Sequence, residues 1–402
     1  MTRDVFEEYH LRRVINASGT LTTYGQSAVV PAAAEAMAAV AGEFFEMDVL
    51  FARASDAIAR IAHSEAGLAT ACAAAGLTMA VAGCMTGTDP AKIAQLPDAT
   101  GMKNEVIIQM GHAVNYGAPV TQGIRLAGAE VKLIGTVNGT SRALFDASIG
   151  PNTVAAMYVV SHHTTQYGFV PFAAFVETAH KHGVPVIVDA AAEEHMLPDL
   201  IGKGADLVIC SGHKHFRAPT SGVMAGRLDL IQAAYAQNRG IGRGMKIGKE
   251  GIVGLIVALE EWERGYHRAE QEAEKQRVLR LVERLAPLEG ITVTAVYPEP
   301  DPYPIMRAKV TVDRAGSGLS AMALSVLLGE GEPSIKTRAH HVEEGYFLLD
   351  PFNLSDADAD FIAERIEQIV NMPAAEKAAA ITRLESLSIA DLFSRQGVWP
   401  HL

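Results

Sequence analysis

The sequence predicts an α/β protein with a large domain built on a mainly parallel sheet and a smaller α+β domain. The chain has 402 residues, which is too long for one small domain. Short apolar runs alternate with helical patterns between residues 105 and 226, and the pattern changes after residue 288. The composition, 49% hydrophobic and 20% charged, is that of a globular protein.

Five apolar segments predict the strands of the sheet. Few polar residues interrupt them, which is typical of parallel strands that helices cover on both faces. They are residues 105–110, 130–137, 153–161, 184–190 and 205–211. Helix patterns lie between them, for example at residues 171–183, which begin with Pro and end with Gly.

The domain division follows from a long charged helical segment. Its amphipathic pattern covers residues 250–288 with a break near Gly265, and strand-like segments such as "RAKVTVDR" and "GYFLLDPF" follow it. We expect residues 1–50 to form an N-terminal arm and part of the small domain. Residues 51–288 would then form the large cofactor-binding domain with the bridging helix, and residues 289–402 the small C-terminal domain.

Charge and cysteine content narrow the class of protein. A net charge of −12 and a pI of about 5.6 disfavour a nucleic-acid or anionic-membrane partner. No signal peptide is recognisable at the N-terminus, and the most apolar helix pattern, residues 73–85, is too short to span a bilayer. Cys72, Cys84 and Cys210 have no metal-ligand spacing, and they predict no disulfide framework. We expect a cytoplasmic protein.

Chemically active side chains follow the predicted strands, where ligands collect in such sheets. These residues are His112, His162, His163, Asp189 and the segment from Ser211 to Lys214. Asp189 and Lys214 are 25 residues apart, about one strand–helix–strand step. A carboxylate and a lysine at neighbouring strand ends, beside a Ser–Gly turn, are what pyridoxal phosphate requires.

Each chemical group of pyridoxal phosphate would have a protein residue that binds it. Lys214 would form the Schiff base and move a proton at the substrate α-carbon, and Asp189 would keep the ring nitrogen protonated. Ser211 and the start of a helix would bind the phosphate, because free N–H groups there attract an anion. The residues assigned to bind the cofactor are Cys72, Ala73, Ala74, His112, Asp189, Ser211, His213 and Lys214, with the His112 ring covering one face.

Structural interpretations of the same residues stay open. Asp189 alone can be a cap or turn residue, Lys214 a solvent-facing side chain, and the segment after Cys72 ordinary helix packing. The histidines could hold zinc, but they lie at separate strand ends without an HExxH spacing, so we expect no metal site. The order of phosphate loop, ring-covering residue, aspartate and lysine favours the cofactor.

The chain resembles the fold-type-I pyridoxal-phosphate enzymes, in the branch that includes bacterial selenocysteine synthase. Its motifs look closer to the ammonia-lyase relatives in that branch than to the transferase. These motifs are "RVINASGTLTTYG" (13–25), "TACAAAGLTMAVAGCMTG" (70–87), "GHAVNYGAPVTQ" (111–122), "VIVDAAAE" (186–193), "SGHKHFRAPTSGVMAG" (211–226) and "GRGMKIGKEGIVGL" (242–255).

The resemblance implies a fold-type-I transferase-like architecture and an active site at the interface of a homodimer or higher homo-oligomer. Lys214 matches the Schiff-base lysine of the family, and Asp189 matches the partner of the pyridinium nitrogen. His213 and His215 flank the lysine where many relatives carry smaller, acidic or apolar residues. This departure leaves the substrate open.

The function that the sequence favours is a lyase acting on a hydroxylated amino acid or amino-sugar acid to give a 2-oxo acid. Lys214 would remove the α-proton, and His163 or His215 would protonate the leaving hydroxyl. Racemisation or epimerisation and transamination use the same machinery and stay open. An acidic chain disfavours a tRNA-dependent selenium transferase, and residues 242–248 lack the GxGxxG spacing of a nicotinamide dehydrogenase.

Four residues are predicted to bind the substrate: Arg338, His162, Arg243 and Lys246. Arg338 would grip the substrate carboxylate with two parallel hydrogen bonds. The alternative for Arg338 is a structural ion pair with Glu343, Glu344 or Asp350. Arg243 and Lys246 lie in a glycine-rich turn and would bind a phosphate of the cofactor or substrate, the alternative being an ordinary solvated turn.

Overall fold

The computed structural model describes residues 4–297 and 305–385. Residues 298–304 and 386–402, which belong to the predicted small domain, lie outside the described residues. Two compact units are present. The large unit spans Ser27–Arg268, and the described residues of the second unit come from 4–26, 269–297 and 305–385.

The strands and helices of both units are numbered in chain order. The strands are β1 Val14–Ala17, β2 Ala66–Thr70, β3 Glu105–Gln109, β4 Glu130–Ile134, β5 Thr153–Val159, β6 Val186–Asp189, β7 Leu207–Ser211, β8 Gly222–Gly226, β9 Ile291–Val296, β10 Arg307–Val312, β11 Ser334–Thr337 and β12 Tyr346–Leu349. The helices are α1 Val5–Glu8, α2 Pro31–Val40, α3 Met47–Ala62, α4 Ala73–Thr86, α5 Pro90–Gln95, α6 Val120–Leu126, α7 Arg142–Ser148, α8 Phe172–Lys181, α9 Leu197–Gly202, α10 Leu228–Ala236, α11 Lys249–Glu263, α12 Tyr266–Leu285, α13 Arg314–Ser317, α14 Ala321–Glu330, α15 Asp356–Val370 and α16 Ala374–Glu385. Short 3-10 helices occur at Thr22–Tyr24, Met110–His112, Glu194–Met196, Gln237–Arg239, Ile241–Met245 and Val342–Glu344.

A seven-stranded sheet in the order β2-β8-β7-β6-β5-β3-β4 forms the centre of the large unit. Strands β3 to β7 pair in parallel, and β8 runs antiparallel to both β2 and β7. The carboxyl ends of the other six strands and the amino end of β8 therefore lie along one edge. Ligands are expected at this edge.

Hydrophobic clusters cover both faces of this sheet. Alternate strand residues point to opposite faces, so Val186 and Val188 of β6 contribute to one cluster while Ile187 contributes to the other. Helices α3, α8 and α11 pack on the first face, and α4, α6 and α10 pack on the second. Coverage on both sides explains why the strands have so few polar residues.

The second unit contains the antiparallel sheet β12-β10-β9 and the parallel pair β1-β11. Its hydrophobic cluster joins residues from these strands with α12, α14 and α15. The parallel pairing of β1 with β11 brings the N-terminal segment beside a strand that lies more than 300 residues later. Both ends of the described chain therefore build this unit.

The structure confirms the predicted α/β class and the five predicted strands, all of which are shorter than expected. Helix α8 follows Pro171, and the expected break at Gly265 separates α11 from α12 with a φ of +90°. Strands β2 and β8 were not predicted. Both are rich in Ala and Gly, so their β propensity is low.

The domain boundaries differ from the expected ones at two places. Residues 27–50 belong to the large unit, because Val30, Ala33 and Leu50 are buried in its core. Residues 269–288 belong to the second unit, since α12 buries Leu281 and its neighbours in that unit's cluster. The bridging segment therefore divides close to the break at Gly265.

Candidate active site

Asp189 and Lys214 lie near each other at the carboxyl edge of the large unit's sheet. Asp189 is the last residue of β6, paired with Val159 of β5 on one side and Ile209 of β7 on the other. Lys214 is half-buried in the turn that joins β7 to β8. The positive charge of Lys214 acts on the Asp189 carboxyl. The parallel sheet thus brings the two predicted residues together.

Burial dominates the electrostatics of Asp189. The residue is 7% exposed, and one carboxylate oxygen accepts a 3.3 Å hydrogen bond from the Ala191 backbone N–H. Burial raises the pKa of Asp189 to about 6, and Lys214 and the Ala191 N–H oppose this rise. A carboxylate in such an environment gains stability when a cationic group binds beside it.

The turn that carries Lys214 is held in place on both sides of the lysine. His213 Nδ1 donates to the Ser221 carbonyl oxygen at 2.8 Å, and the His213 carbonyl accepts from the Ser27 hydroxyl at 2.8 Å. After the lysine, His215 contacts Glu194, and Arg217 has a φ of +53°. Because His213 and His215 have these partners on either side of Lys214, the backbone position of Lys214 is fixed as well.

The start of α4 forms a cradle beside this turn. Cys72 caps the helix, and its Sγ accepts from the Ala75 N–H at 3.4 Å. The N–H groups of Ala73 and Ala74 belong to the first turn, where N–H groups have no intrahelical acceptor. These donors and the helix dipole suit a phosphate.

Gly222 brings β8 close to this helix start. A Cβ on Gly222 would lie 2.4 Å from Thr70 Oγ1 and 2.5 Å from the Cys72 carbonyl oxygen, so a larger residue would displace the backbone. Gly222 pairs with Ser211 of β7 on its other side. The glycine therefore places Ser211 and the α4 N-terminus on the two sides of one strand.

Tyr116 is a residue of this site that the sequence did not single out. It is 44% exposed, and partial burial raises the pKa of its phenol to about 12, with further contributions from Asp189 and Cys72. The phenol is thus protonated at neutral pH, and it lies close to Asp189 and Cys72, two of the residues predicted to bind the cofactor. Its position in "GHAVNYG", four residues after His112, was the available signal.

His112 is a buried neutral imidazole. It is 3% exposed, and its Nδ1 accepts from the Val159 backbone N–H at 3.1 Å. The ring contacts Tyr158 edge-to-face with centroids 4.4 Å apart. Burial lowers the pKa of His112 to about 4, so the ring carries no charge at pH 7. An uncharged fixed ring suits the predicted packing role, which stays a prediction.

His162 and His163 lie in the loop after β5, with ring centroids 3.9 Å apart. His163 is exposed and His162 half-buried. The loop contacts the segment before His112, because the Thr165 backbone N–H donates to the Gly111 carbonyl at 3.2 Å. The two histidines therefore share the sheet edge with His112, and their roles stay predictions.

Arg243 and Lys246 are exposed in and just after the 3-10 helix before α11. Lys249, which follows them, donates to the Ala41 carbonyl and pairs with Glu250. A Cβ on Gly242 would lie 3.2 Å from the Met79 side chain of α4. The segment thus runs beside the helix whose start forms the cradle, and the predicted phosphate contact stays a prediction.

Arg338 belongs to the second unit and directly follows β11. A Cβ built on Gly19 would lie 3.7 Å from Arg338 Nη1 and 2.8 Å from the Asp350 carboxylate. Arg338 and Asp350 therefore both lie close to Gly19. Asp350 also forms a buried ion pair with Arg307 at 2.6 Å. Both interpretations of Arg338, as carboxylate ligand and as member of an ion-pair network, therefore stay open.

The residues of the large unit fit pyridoxal phosphate. They provide an amine, a buried carboxylate, a helix start and a glycine-lined strand at one edge. No cluster of His, Cys, Asp or Glu that could hold a metal ion occurs in residues 4–297 and 305–385. Within the same residues, no helix is long and apolar enough to cross a membrane.

The chain is similar to curated proteins with three different names. It is 38% identical to the D-glucosaminate-6-phosphate ammonia lyase of Salmonella typhimurium (strain 14028s / SGSC 2262), over 92% of this chain and 98% of that protein. It is 35% identical to the 5'-C-glycyluridine monooxygenase-decarboxylase of a Streptomyces species, over 89% and 90% of the two chains. The L-seryl-tRNA(Sec) selenium transferase of Aquifex aeolicus (strain VF5) is 23% identical over 90% and 85%.

Solved structures agree with these matches. A structure of D-glucosaminate-6-phosphate ammonia-lyase superposes with a TM-score of 0.86, covering 92% of this chain and 99% of that one at 38% identity. An alanine–glyoxylate aminotransferase from Nostoc sp. gives a TM-score of 0.56 at 15% identity over 90% and 95%, and shows the fold alone. The predicted fold-type-I architecture is confirmed. The family model described as L-seryl-tRNA selenium transferase matches residues 14–296, and the chain therefore belongs to that family.

Proposed function

We propose that the protein is a pyridoxal-phosphate-dependent lyase that converts a hydroxylated amino acid or amino-sugar acid into a 2-oxo acid and ammonia. The observation that carries the proposal is the placement of Lys214 beside the buried Asp189 at the sheet edge. Similarity to the Salmonella ammonia lyase over nearly the whole length of both chains supports the reaction type.

The bound cofactor would supply an electron sink for the carbanion at the substrate α-carbon. Lys214 would hold the cofactor through its amine and would move the proton at the substrate α-carbon. Asp189 would keep the ring nitrogen of the cofactor protonated. Ser211 and the N–H groups of Ala73 and Ala74 would bind the phosphate.

A histidine then protonates the leaving β-hydroxyl. His163 and His215 are the two candidates, since both lie near the carboxyl edge of the sheet. Water leaves in the elimination and is consumed again when the nitrogen is released, so the net products are a 2-oxo acid and ammonia. The neutral Tyr116 phenol, which lies near Asp189 and Cys72, would donate a hydrogen bond to the bound cofactor.

The residues assigned to the substrate suggest its class. Arg338 would bind the substrate carboxylate, and His162, which lies beside His163, would contact the substrate hydroxyls. Arg243 and Lys246 bind a phosphate, either of the cofactor or of a phosphorylated amino-sugar acid such as the one in the name of the Salmonella relative. A homodimer or higher homo-oligomer and a cytoplasmic location complete the proposal.

Borohydride reduction of the yellow protein, followed by peptide mapping, tests the cofactor assignment. Label on Lys214 supports it, and label on another lysine contradicts it. A screen of hydroxylated amino acids and amino-sugar acids, with and without phosphate, for ammonia and 2-oxo acid release tests the reaction. Release of ammonia from none of them would reject the lyase.

A second candidate is the oxidative decarboxylation named for the Streptomyces relative, because its identity is only slightly lower than that of the ammonia lyase. The two reactions leave different products. Oxygen uptake together with release of carbon dioxide from a glycyl-nucleoside would support the second candidate. Ammonia release without oxygen uptake would support the lyase.

A further inference from the structure

A buried carboxylate contacts the residue next to Lys214 through both of its oxygens. Glu194 begins a 3-10 helix five residues after Asp189, and its side chain is 0% exposed. Oε1 accepts from the His215 backbone N–H at 3.1 Å, and Oε2 lies 2.8 Å from His215 Nδ1. One carboxylate thus fixes the backbone and the ring of a single residue.

We propose that Glu194 is the positioning residue of the Lys214 turn, holding the backbone beside the lysine and the orientation and tautomer of the His215 ring. The proposal rests on the proposed function, since it assigns Lys214 the reacting amine. A buried carboxylate is a poor device for stability alone, because the cost of its desolvation offsets much of the attraction to its partners. Its value here is that it acts on the turn that carries the reactive group.

The other side of the turn has its own attachments. Ser27 and Ser221 hold His213, and Glu194 holds His215, so Lys214 lies between two fixed residues. Without Glu194, the hydrogen bonds to the His215 backbone N–H and ring Nδ1 would be lost. Small displacements of a reacting atom reduce rates strongly, about a hundredfold for about 1 Å.

Glu194 also determines the protonation pattern of the His215 ring. An ionised carboxylate accepts hydrogen bonds, so it selects the form with a proton on Nδ1. Any proton that His215 exchanges elsewhere must then pass through Nε2. Glu194→Gln keeps the size and the acceptor for the backbone N–H. Its NH₂ group, however, donates where the carboxylate accepted, and this favours the opposite tautomer.

The experiment compares the holoenzymes of Glu194→Gln, His215→Asn and the double variant. We expect Glu194→Gln to keep the cofactor on Lys214, as borohydride mapping shows, while kcat falls about tenfold to a hundredfold. KM should stay within about twofold of the parent. The circular dichroism of the bound cofactor should change, because a displaced lysine tilts the ring.

Coupling between the two residues is the second readout. If Glu194 acts through His215, the double variant should be no slower than His215→Asn alone, whereas independent residues would give multiplied losses. Should Glu194→Gln fail to fold, His215→Asn still tests the proposal. It leaves the backbone contact in place and should lower kcat while retaining the cofactor. A parental kcat in His215→Asn would contradict the assignment of the ring.

Asp206→Asn provides the matched control. Asp206 is a buried carboxylate that contacts His180 at 2.7 Å, but it precedes β7 and lies at the opposite edge of the sheet. The control should lower the melting temperature and leave kcat unchanged. If Glu194→Gln behaves in the same way with Lys214 still labelled, Glu194 is merely structural. Label on another lysine would instead reject the proposed function, whatever Glu194→Gln does.

Discussion

Asp189→Asn should stabilise the cofactor-free protein while it abolishes catalysis. Burial raises the pKa of Asp189 from 3.8 to about 6, which costs its ionised form about 3 kcal/mol in the folded state. Asparagine has the same shape, carries no charge and can still accept from the Ala191 N–H. Replacing the carboxylate therefore removes the cost and retains the hydrogen bond.

The sign of the pH dependence follows from the same values. Between pH 3.8 and about 6 the folded protein binds the Asp189 proton more tightly than the unfolded chain does. The contribution of this tighter proton binding to the free energy of unfolding is fully present below pH 3.8 and is lost as the pH rises through about 6. The gain from Asp189→Asn should thus approach about 3 kcal/mol at pH 8 and be about 1 kcal/mol at pH 4.5.

Chemical denaturation of the parent and the variant, both freed of cofactor with hydroxylamine, measures this difference at the two pH values. The holoenzyme of Asp189→Asn should retain cofactor and lose kcat by orders of magnitude, because an amide cannot hold the ring nitrogen protonated. Asp206→Asn, in contrast, should destabilise the protein, since Arg227 and His180 both contact that carboxylate. Equal destabilisation by the two variants at pH 8, or near-parental activity of Asp189→Asn, would refute the reasoning.

Three further predictions concern the cations of the site. Lys214→Ala should remain folded but lose the yellow colour and nearly all turnover, and a variant that stays yellow and active would contradict this. Arg243→Ala and Lys246→Ala should each raise the cofactor Kd or the substrate KM, as titration and kinetics show, and unchanged values for both would reject the phosphate site. Arg338→Lys should raise KM or lower kcat without cofactor loss, whereas parental kinetics with a lower melting temperature would favour the ion-pair network around Asp350.

The sequence predicted the parts of the fold that local patterns determine. The apolar strands β3 to β7 alternate with helices. Asp189 ends β6 and Lys214 follows the end of the neighbouring strand β7, so the order of the strands predicted that the two residues lie near each other. The sequence did not predict β2 and β8, because their small residues have little intrinsic strand preference. Nor could it assign residues 27–50 to the large unit, since that follows from packing against α11.

Glu194 shows what kind of site residue local patterns miss. Its role depends on a contact with a residue 21 positions later, and its type is one that normally lies at the surface. The available signal was chemical: in "VDAAAEEHM" two glutamates follow a buried strand after only three alanines. A surface helix would instead have shown apolar residues at a helical spacing.

The antiparallel strand β8 is the feature that makes the site compact. A parallel strand at this position would need a long crossover connection after Ser211, whereas the antiparallel one returns directly through the Lys214 turn. The return places Gly222 against Thr70 and Cys72. Helix α4 follows β2 and the Lys214 turn leads into β8, and these two strands are neighbours in the sheet. A short connection has few residues that can pack around the lysine. The hydrogen bonds of His213 and His215 therefore hold the Lys214 backbone in position, as packing would in a longer segment.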